Sequence, residues 1–118
     1  LDEFPKGAFY TAIQAGKSKN IHASLLSDPE EKRALLLQAY DDVKSIEDII
    51  PDEWDNWKFA FHSTLHYSAR ELPRVTTDKD EVGIWYKRWF THAEKTVEAS
   101  SASSPRPVFV RVKMSQYL

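Results

Sequence analysis

Residues 52–72, with the sequence DEWDNWKFAFHSTLHYSAREL, form the stretch around which we expect this domain to be built. At helical spacing, one stripe of this segment contains Trp54, Trp57, Phe61, Leu65, Ser68 and Leu72. Phe59 and His66 fall outside that stripe, so apolar side chains occupy more than one face. A helix of this kind is usually buried between neighbouring elements. The pattern therefore predicts the central helix of a small helical domain.

A first helix is predicted near the start of the chain. Phe4, Phe9 and Ile13 recur at helical spacing, which indicates a helix over about residues 5–15. Gly16 stands where such a helix would end, because glycine is common just beyond a helix C-terminus. The polar sequence GKSKN that begins at this glycine is interpreted as a loop.

A second helix has a clear start signal. Asp28 can cap it, Pro29 suits its first position, and Glu31 completes a capping box. A broad apolar face follows, and the proline at position 51 disfavours helical backbone just before it. These signals predict a helix from residue 29 to about residue 46.

The last predicted helix spans residues 78 to about 99. Thr77 can cap its start, and its apolar stripe includes Trp85 and Trp89. Four helices of this kind predict an all-α fold, an irregular bundle that occupies residues 1–98.

The C-terminal part of the sequence has a different composition. Residues 99–107, ASSASSPRP, are low in complexity and predict a flexible linker. Residues 108–118 alternate apolar with basic or other side chains, which is the pattern of a β-strand. A single strand cannot satisfy its own backbone hydrogen-bonding groups. We therefore expect an extended tail that pairs with a second copy of the chain or with a partner, or that docks on the helical domain.

Composition excludes several kinds of protein. The chain has 118 residues, no cysteine and a net charge of −2, so disulfides and thiolate metal sites are ruled out. The slight acidity argues against a general nucleic-acid-binding protein, which normally carries a basic surface. No apolar run is long enough to span a membrane. We expect an intracellular chain with no membrane partner. Because it begins with Leu1, we also expect it to be a piece of a larger protein.

Only one pair of side chains suggests metal chemistry. His62 and His66 are four residues apart, so a helix places both imidazoles on one face. Ser63 occupies the position at which a zinc protease helix has its glutamate, and no Glu-x-x-His motif is present. No Gly-x-Ser-x-Gly nucleophile turn or other catalytic set is apparent either. We therefore predict no enzyme activity and no cofactor, and keep a metal-dependent enzyme using these histidines as an alternative.

A second alternative rests on the last helix. The sequence WYKRW of residues 85–89 interleaves aromatic and basic side chains, as single-stranded nucleic acid binding requires. Because Trp85 and Trp89 also lie on the predicted core stripe, mainly the basic residues of this segment are left for solvent. Nucleic-acid binding is therefore a less favoured hypothesis.

The preferred prediction is a non-catalytic protein–protein interaction or scaffolding module. Small helical domains without a catalytic set commonly offer a groove to a helix or an extended peptide. The partner would be another protein or a second copy of the chain. The predicted contacts are tail residues together with a second patch on the last helix: Val108, Phe109, Val110, Val112, Tyr117, Trp85, Tyr86 and Arg88.

Overall fold

A computed structural model describes residues 6–50 and 55–103 of the chain. These residues form four α-helices, namely α1 (Lys6–Leu25), α2 (Pro29–Lys44), α3 (Asp55–Glu71) and α4 (Lys79–Ser103). Two short 3-10 turns, Glu47–Ile49 and Leu72–Val75, follow α2 and α3. The described residues contain no strand, so the all-α prediction is confirmed for this part of the chain. The predicted extended tail lies outside the described residues.

Helix α3 occupies the centre of the bundle, as its hydrophobic pattern predicts. It packs most extensively against α4 and also contacts α1 and α2. Phe61 and Leu65 are completely buried at its core-facing surface. Their burial confirms the predicted core stripe, although Trp54 lies outside the described residues.

The predicted end of the first helix at Gly16 is wrong. Helix α1 continues without interruption to Leu25, so the predicted GKSKN loop is helical. Gly16 is buried, and a Cβ atom built on it would lie only 2.3 Å from Cγ2 of Val43. The glycine therefore allows close approach of α1 to α2. It does not terminate the helix.

The predicted start of α2 is confirmed. The side chain of Asp28 accepts a hydrogen bond of 2.9 Å from the backbone N–H of Glu31, and Pro29 occupies the first helical position. This hydrogen bond satisfies one of the donors that every helix leaves unpaired in its first turn. The helix ends at Lys44, close to the predicted boundary.

Helix α4 differs from the prediction at both ends. Its cap is Asp78 and not Thr77, because Asp78 Oδ1 accepts hydrogen bonds from the backbone N–H groups of Asp80 and Glu81, at 2.9 and 3.3 Å. At its other end the helix runs to Ser103 and so includes the first residues of the predicted linker. Ala99 is buried there. Tertiary packing at this alanine supports helix where composition alone indicates a linker.

Candidate binding surfaces and the buried histidine network

A shallow groove of about 270 Å³ runs between α1 and α3, and its exposed lining is mainly apolar. On α1 it is lined by Lys17, Asn20, Ile21 and Ser24, and on α3 by Ser63, Thr64 and Tyr67. Ile21 is 64% exposed, and Leu25, one helical turn further along α1, is 79% exposed. We call this surface the α1/α3 groove. Residues four apart lie on the same face of a helix, so these two aliphatic side chains form one exposed apolar patch.

Buried polar groups fix the floor of the α1/α3 groove. The hydroxyl of Ser68 donates a hydrogen bond of 2.8 Å to Oδ1 of Asn20. The amide nitrogen of Asn20 in turn donates to the carbonyl oxygen of Thr64 at 3.5 Å. Because Asn20 and Ser68 are both buried, leaving either group without its partner would be costly. These bonds tie α1 to α3 and so set the width of the groove.

The charge of the groove is positive. Helix α1 contains three lysines and one histidine but no aspartate or glutamate. The ammonium group of Lys19 forms a salt bridge with Asp42 on α2. Lys17 lies in the groove lining, and no described carboxylate pairs with it. The groove therefore combines apolar walls with a cation that is open to an acidic partner.

A chain of hydrogen bonds links histidines and a tyrosine on three helices. The hydroxyl of Tyr40 on α2 lies 2.7 Å from Nε2 of His92 on α4. Nδ1 of His92 lies 3.0 Å from Nδ1 of His62 on α3. The two imidazole rings are tilted by 32° with their centroids 5.2 Å apart. We call these three residues the histidine network.

Burial keeps the histidines of this region neutral. It is the main reason that the pKa of His92 falls to about 3, with the adjacent His62 ring and Lys44 adding to the effect. Burial likewise lowers the pKa of His62 to about 4, and the next contribution comes from the charge of Lys95. A neutral imidazole has one donor nitrogen and one acceptor nitrogen. The network therefore requires a definite order of proton positions.

The two histidines predicted as a metal pair contact different partners. Nε2 of His66 accepts a hydrogen bond of 2.7 Å from the indole N–H of Trp89, whereas His62 bonds to His92. Burial, followed by the charge of Arg70, also lowers the pKa of His66. Within residues 6–50 and 55–103, no group of three or more metal-ligating side chains is arranged to hold a metal ion. In this structure both histidines link α3 to α4, and the metal-enzyme alternative gains no third ligand from the described residues.

The predicted patch on α4 is divided between the core and the surface. Trp85 is only 4% exposed and packs edge-on against Tyr40, with ring centroids 4.9 Å apart. The guanidinium of Arg88 covers the Trp85 ring at 4.6 Å, while Tyr86 is 45% exposed. Tyr86 and Arg88 are therefore accessible, but the Trp85 ring has little surface to offer a protein or a nucleotide base. The predicted tail contacts Val108, Phe109, Val110, Val112 and Tyr117 lie outside the described residues.

The α1/α3 groove is not predicted from the sequence, because the predicted first helix ends at Gly16. A signal was present, since the buried positions 9, 13, 16, 20 and 23 of α1 continue the spacing of a helix past the glycine. The sequence GKSKN of residues 16–20 reads as a polar loop, so the continued helical spacing is easily overlooked. A buried asparagine that bonds across helices cannot be recognised from local composition.

Comparisons with models of protein families, with curated proteins and with solved structures found no match for this chain. Among the described helices, none is both long enough and apolar enough to cross a membrane.

Proposed function

We propose that this domain is a protein-interaction module that binds its partner in the α1/α3 groove. The observation that carries the proposal is the pair of exposed aliphatic side chains, Ile21 and Leu25, beside an apolar groove whose floor is fixed by buried hydrogen bonds. A preformed apolar surface loses little conformational entropy on binding, which favours recognition. The domain would belong to an intracellular protein, as its lack of cysteine predicts.

The partner we propose is an amphipathic helix of another protein with an acidic residue beside its apolar stripe. A groove lined by two helices can accept a third helix, whose apolar residues recur every three or four positions. The acidic residue would pair with Lys17, which no described carboxylate engages. Helix α1 carries no acidic residue that would repel it. Charge complementarity of this kind contributes chiefly to orientation and specificity.

Selection from a displayed peptide library tests this proposal even while the natural partner is unidentified. We expect the selected peptides to carry apolar residues at helical spacing together with an acidic residue. Addition of a selected peptide to labelled protein should shift the amide resonances of Lys17, Ile21 and Ser63 in NMR spectra. Ile21→Glu should weaken binding at least about tenfold, since it places a charge in the apolar contact.

Ile84→Glu is the matched control, because Ile84 is an exposed isoleucine on a different helix, α4. Selected peptides that map away from α1 and α3, or that bind the Ile21→Glu and wild-type proteins equally, would contradict the proposal. Sedimentation of the free protein identifies the other possible occupant. If the wild-type protein sediments as a homodimer and Ile21→Glu sediments as a monomer, the groove binds a second copy of the chain and the proposed partner is wrong.

The predicted contribution of the tail needs a separate experiment. Removal of residues 105–118 should reduce partner binding if the extended tail also contacts the partner. Unchanged mass in solution and unchanged peptide affinity would remove the tail from the proposal and leave the α1/α3 groove as its basis.

A further inference from the structure

A second pocket lies at the other side of α3, between α3, α4 and the 3-10 turn that follows α2. Its volume is about 340 Å³, which is at the small end of the range for ligand pockets. It is lined by Glu47, Ile50, Lys58, Phe61, His62, Lys95, Glu98 and Ala99. We call it the His62 pocket. Its wall contains one end of the histidine network.

The network determines which nitrogen of His62 carries a proton. Tyr40 is 4% exposed, and Nε2 of His92 is the one described acceptor that its hydroxyl contacts. Because a buried hydroxyl proton needs an acceptor, the tyrosine donates its hydrogen bond to Nε2 of His92. His92 is neutral and therefore carries its proton on Nδ1, which donates to Nδ1 of His62. His62 must then carry its proton on Nε2.

The N–H group of His62 is presented to the pocket. Nδ1 of His62 is engaged by His92 and His62 lines the pocket, so Nε2 is the ring nitrogen left for a ligand there. No described residue accepts a hydrogen bond from Nε2. The buried tyrosine thus orients a donor, through two imidazole rings, toward a cavity that can hold a small molecule.

The charges around this donor favour a single negative charge on the ligand. Lys58 and Lys95 line the pocket, and Lys95 is the charged residue with the strongest effect on His62. Glu47 also lines it, but its carboxylate pairs with Lys44 at 2.9 Å. Glu98 adds one further negative charge to the wall. Lys95 and Lys58 both lower the pKa of His62, whereas Glu47 raises it. The carboxylates of Glu47 and Glu98 in the wall would repel a ligand with several negative charges.

We propose that the His62 pocket binds a small organic monocarboxylate with an apolar body. The carboxylate would accept a hydrogen bond from Nε2 of His62 and lie near the ammonium group of Lys95. The apolar body would rest on the side chain of Ile50, the apolar lining residue that is partly exposed. This site is separate from the α1/α3 groove, and the proposal does not depend on the groove's function.

Long-range proton–nitrogen NMR spectra test the proposed proton positions on His62 and His92, because they distinguish protonated from unprotonated imidazole nitrogens. At pH 7 we expect His62 to be protonated on Nε2 and His92 on Nδ1. In Tyr40→Phe this assignment should be lost, because the hydroxyl that fixes the order of protons is absent. The reverse assignment in the wild-type protein would overturn the proposal.

Titration with two probes of the same shape tests the ligand class. Benzoate should shift the ring resonances of His62 and reach saturation, whereas neutral benzamide should bind at least about tenfold more weakly, because hydrogen bonds to a charged group are the stronger ones. Lys95→Gln, a change at an exposed side chain, should weaken benzoate binding severalfold without a change in fold. His62→Gln should reduce it at least about tenfold.

His22→Gln is the control, since His22 is an exposed histidine on α1. Its affinity for benzoate should equal that of the wild type. Equal binding of benzoate and benzamide would show that charge is not recognised and would overturn the proposal. No saturable shift at His62, or full benzoate affinity in Lys95→Gln with its native spectrum intact, would overturn it too.

Discussion

Replacement of Gly16 by alanine should destabilise this protein, although alanine is the better residue for a helix. In an exposed helix interior, Gly→Ala stabilises by roughly 0.5–1 kcal/mol. At Gly16 the added methyl group would lie 2.3 Å from Cγ2 of Val43, and 3.3 Å from the carbonyl oxygen of Ala39. The first distance is far shorter than a van der Waals contact between carbon atoms. Either the valine or the helix must therefore move.

Neither movement is easy. Val43 is completely buried, and a β-branched side chain in a helix has one strongly preferred rotamer. Overpacking of a well-filled core typically costs about 1–3 kcal/mol. After subtraction of the gain in helix propensity, we expect Gly16→Ala to lower the free energy of unfolding by about 1–2 kcal/mol.

A double-mutant cycle with Val43→Ala isolates this contact. Val43→Ala removes the Cγ2 atom that the new methyl group would meet, at a cost of about 2 kcal/mol for the lost methyl groups and the cavity. In that background Gly16→Ala should be close to neutral, within about 0.5 kcal/mol. The two substitutions should therefore couple favourably by about 1–2 kcal/mol, as expected for residues in direct contact.

Urea unfolding followed by tryptophan fluorescence gives each of these free energies. Gly83→Ala on α4 is the matched control, because nothing lies within 4 Å of the Cβ atom that it would add. It should stabilise the protein by roughly 0.5–1 kcal/mol. If Gly16→Ala is as stabilising as Gly83→Ala, or if its effect is unchanged by Val43→Ala, then α1 does not approach α2 through this glycine.

Three further predictions concern stability. The pKa of His92 is about 3 in the folded protein and near 6.5 in the unfolded chain, so stability should be full above pH 7 and fall progressively as the pH drops below 6.5. Between pH 7 and pH 5 the unfolded chain gains a proton at His92 that the folded protein excludes, which lowers the free energy of unfolding by about 2 kcal/mol in urea titrations. Because the pKa of His62 is also lowered, to about 4, His62 adds a loss of similar size. His92→Gln should therefore make the pH dependence shallower without removing it, and an equally steep curve in the variant would contradict the assignment. Asp28→Ala should cost about 1 kcal/mol in thermal unfolding through loss of the α2 cap, and no change in melting temperature would count against the cap. Asn20→Ala should cost about 1–3 kcal/mol because it leaves the buried Ser68 hydroxyl unpaired, and adding Ser68→Ala should recover part of the loss; strictly additive costs would argue against this bond.

The parts of the fold that local sequence determines could be predicted. The α2 start depends on Asp28, Pro29 and Glu31, which are neighbours in the chain, and the capping contact is present as expected. The core stripe of α3 depends only on the spacing of large side chains, and Phe61 and Leu65 are buried accordingly. Such signals do not depend on any other element of the fold.

The extent of α1 could not be predicted, because it depends on residues distant in sequence. A glycine after an apolar stripe is usually a helix end. Here Gly16 permits a close contact with Val43, 27 residues away along the chain. The chain stays helical because Asn20 and Ala23, beyond the glycine, are buried against the other helices.

The contacts of His62 and His66 likewise depend partly on local sequence and partly on distant residues. The spacing of His62 and His66 indicates a shared helix face, but not which group each imidazole binds. His62 reaches His92 and His66 reaches Trp89, and both partners belong to α4. The role of the pair is therefore decided by the helix opposite it.

The continuation of α1 also explains why the α1/α3 groove exists. Successive residues of a helix are turned by about 100°, so the residue after each buried position lies at the edge of the buried face. Lys17 follows Gly16, and Ile21 follows Asn20, and both line the groove. Close packing at Gly16 and the hydrogen bonds of Asn20 hold α1 in the orientation that presents these two side chains. The groove and the stability of the α1–α2 contact therefore share one structural cause, and a displacement of α1 in Gly16→Ala should disturb both.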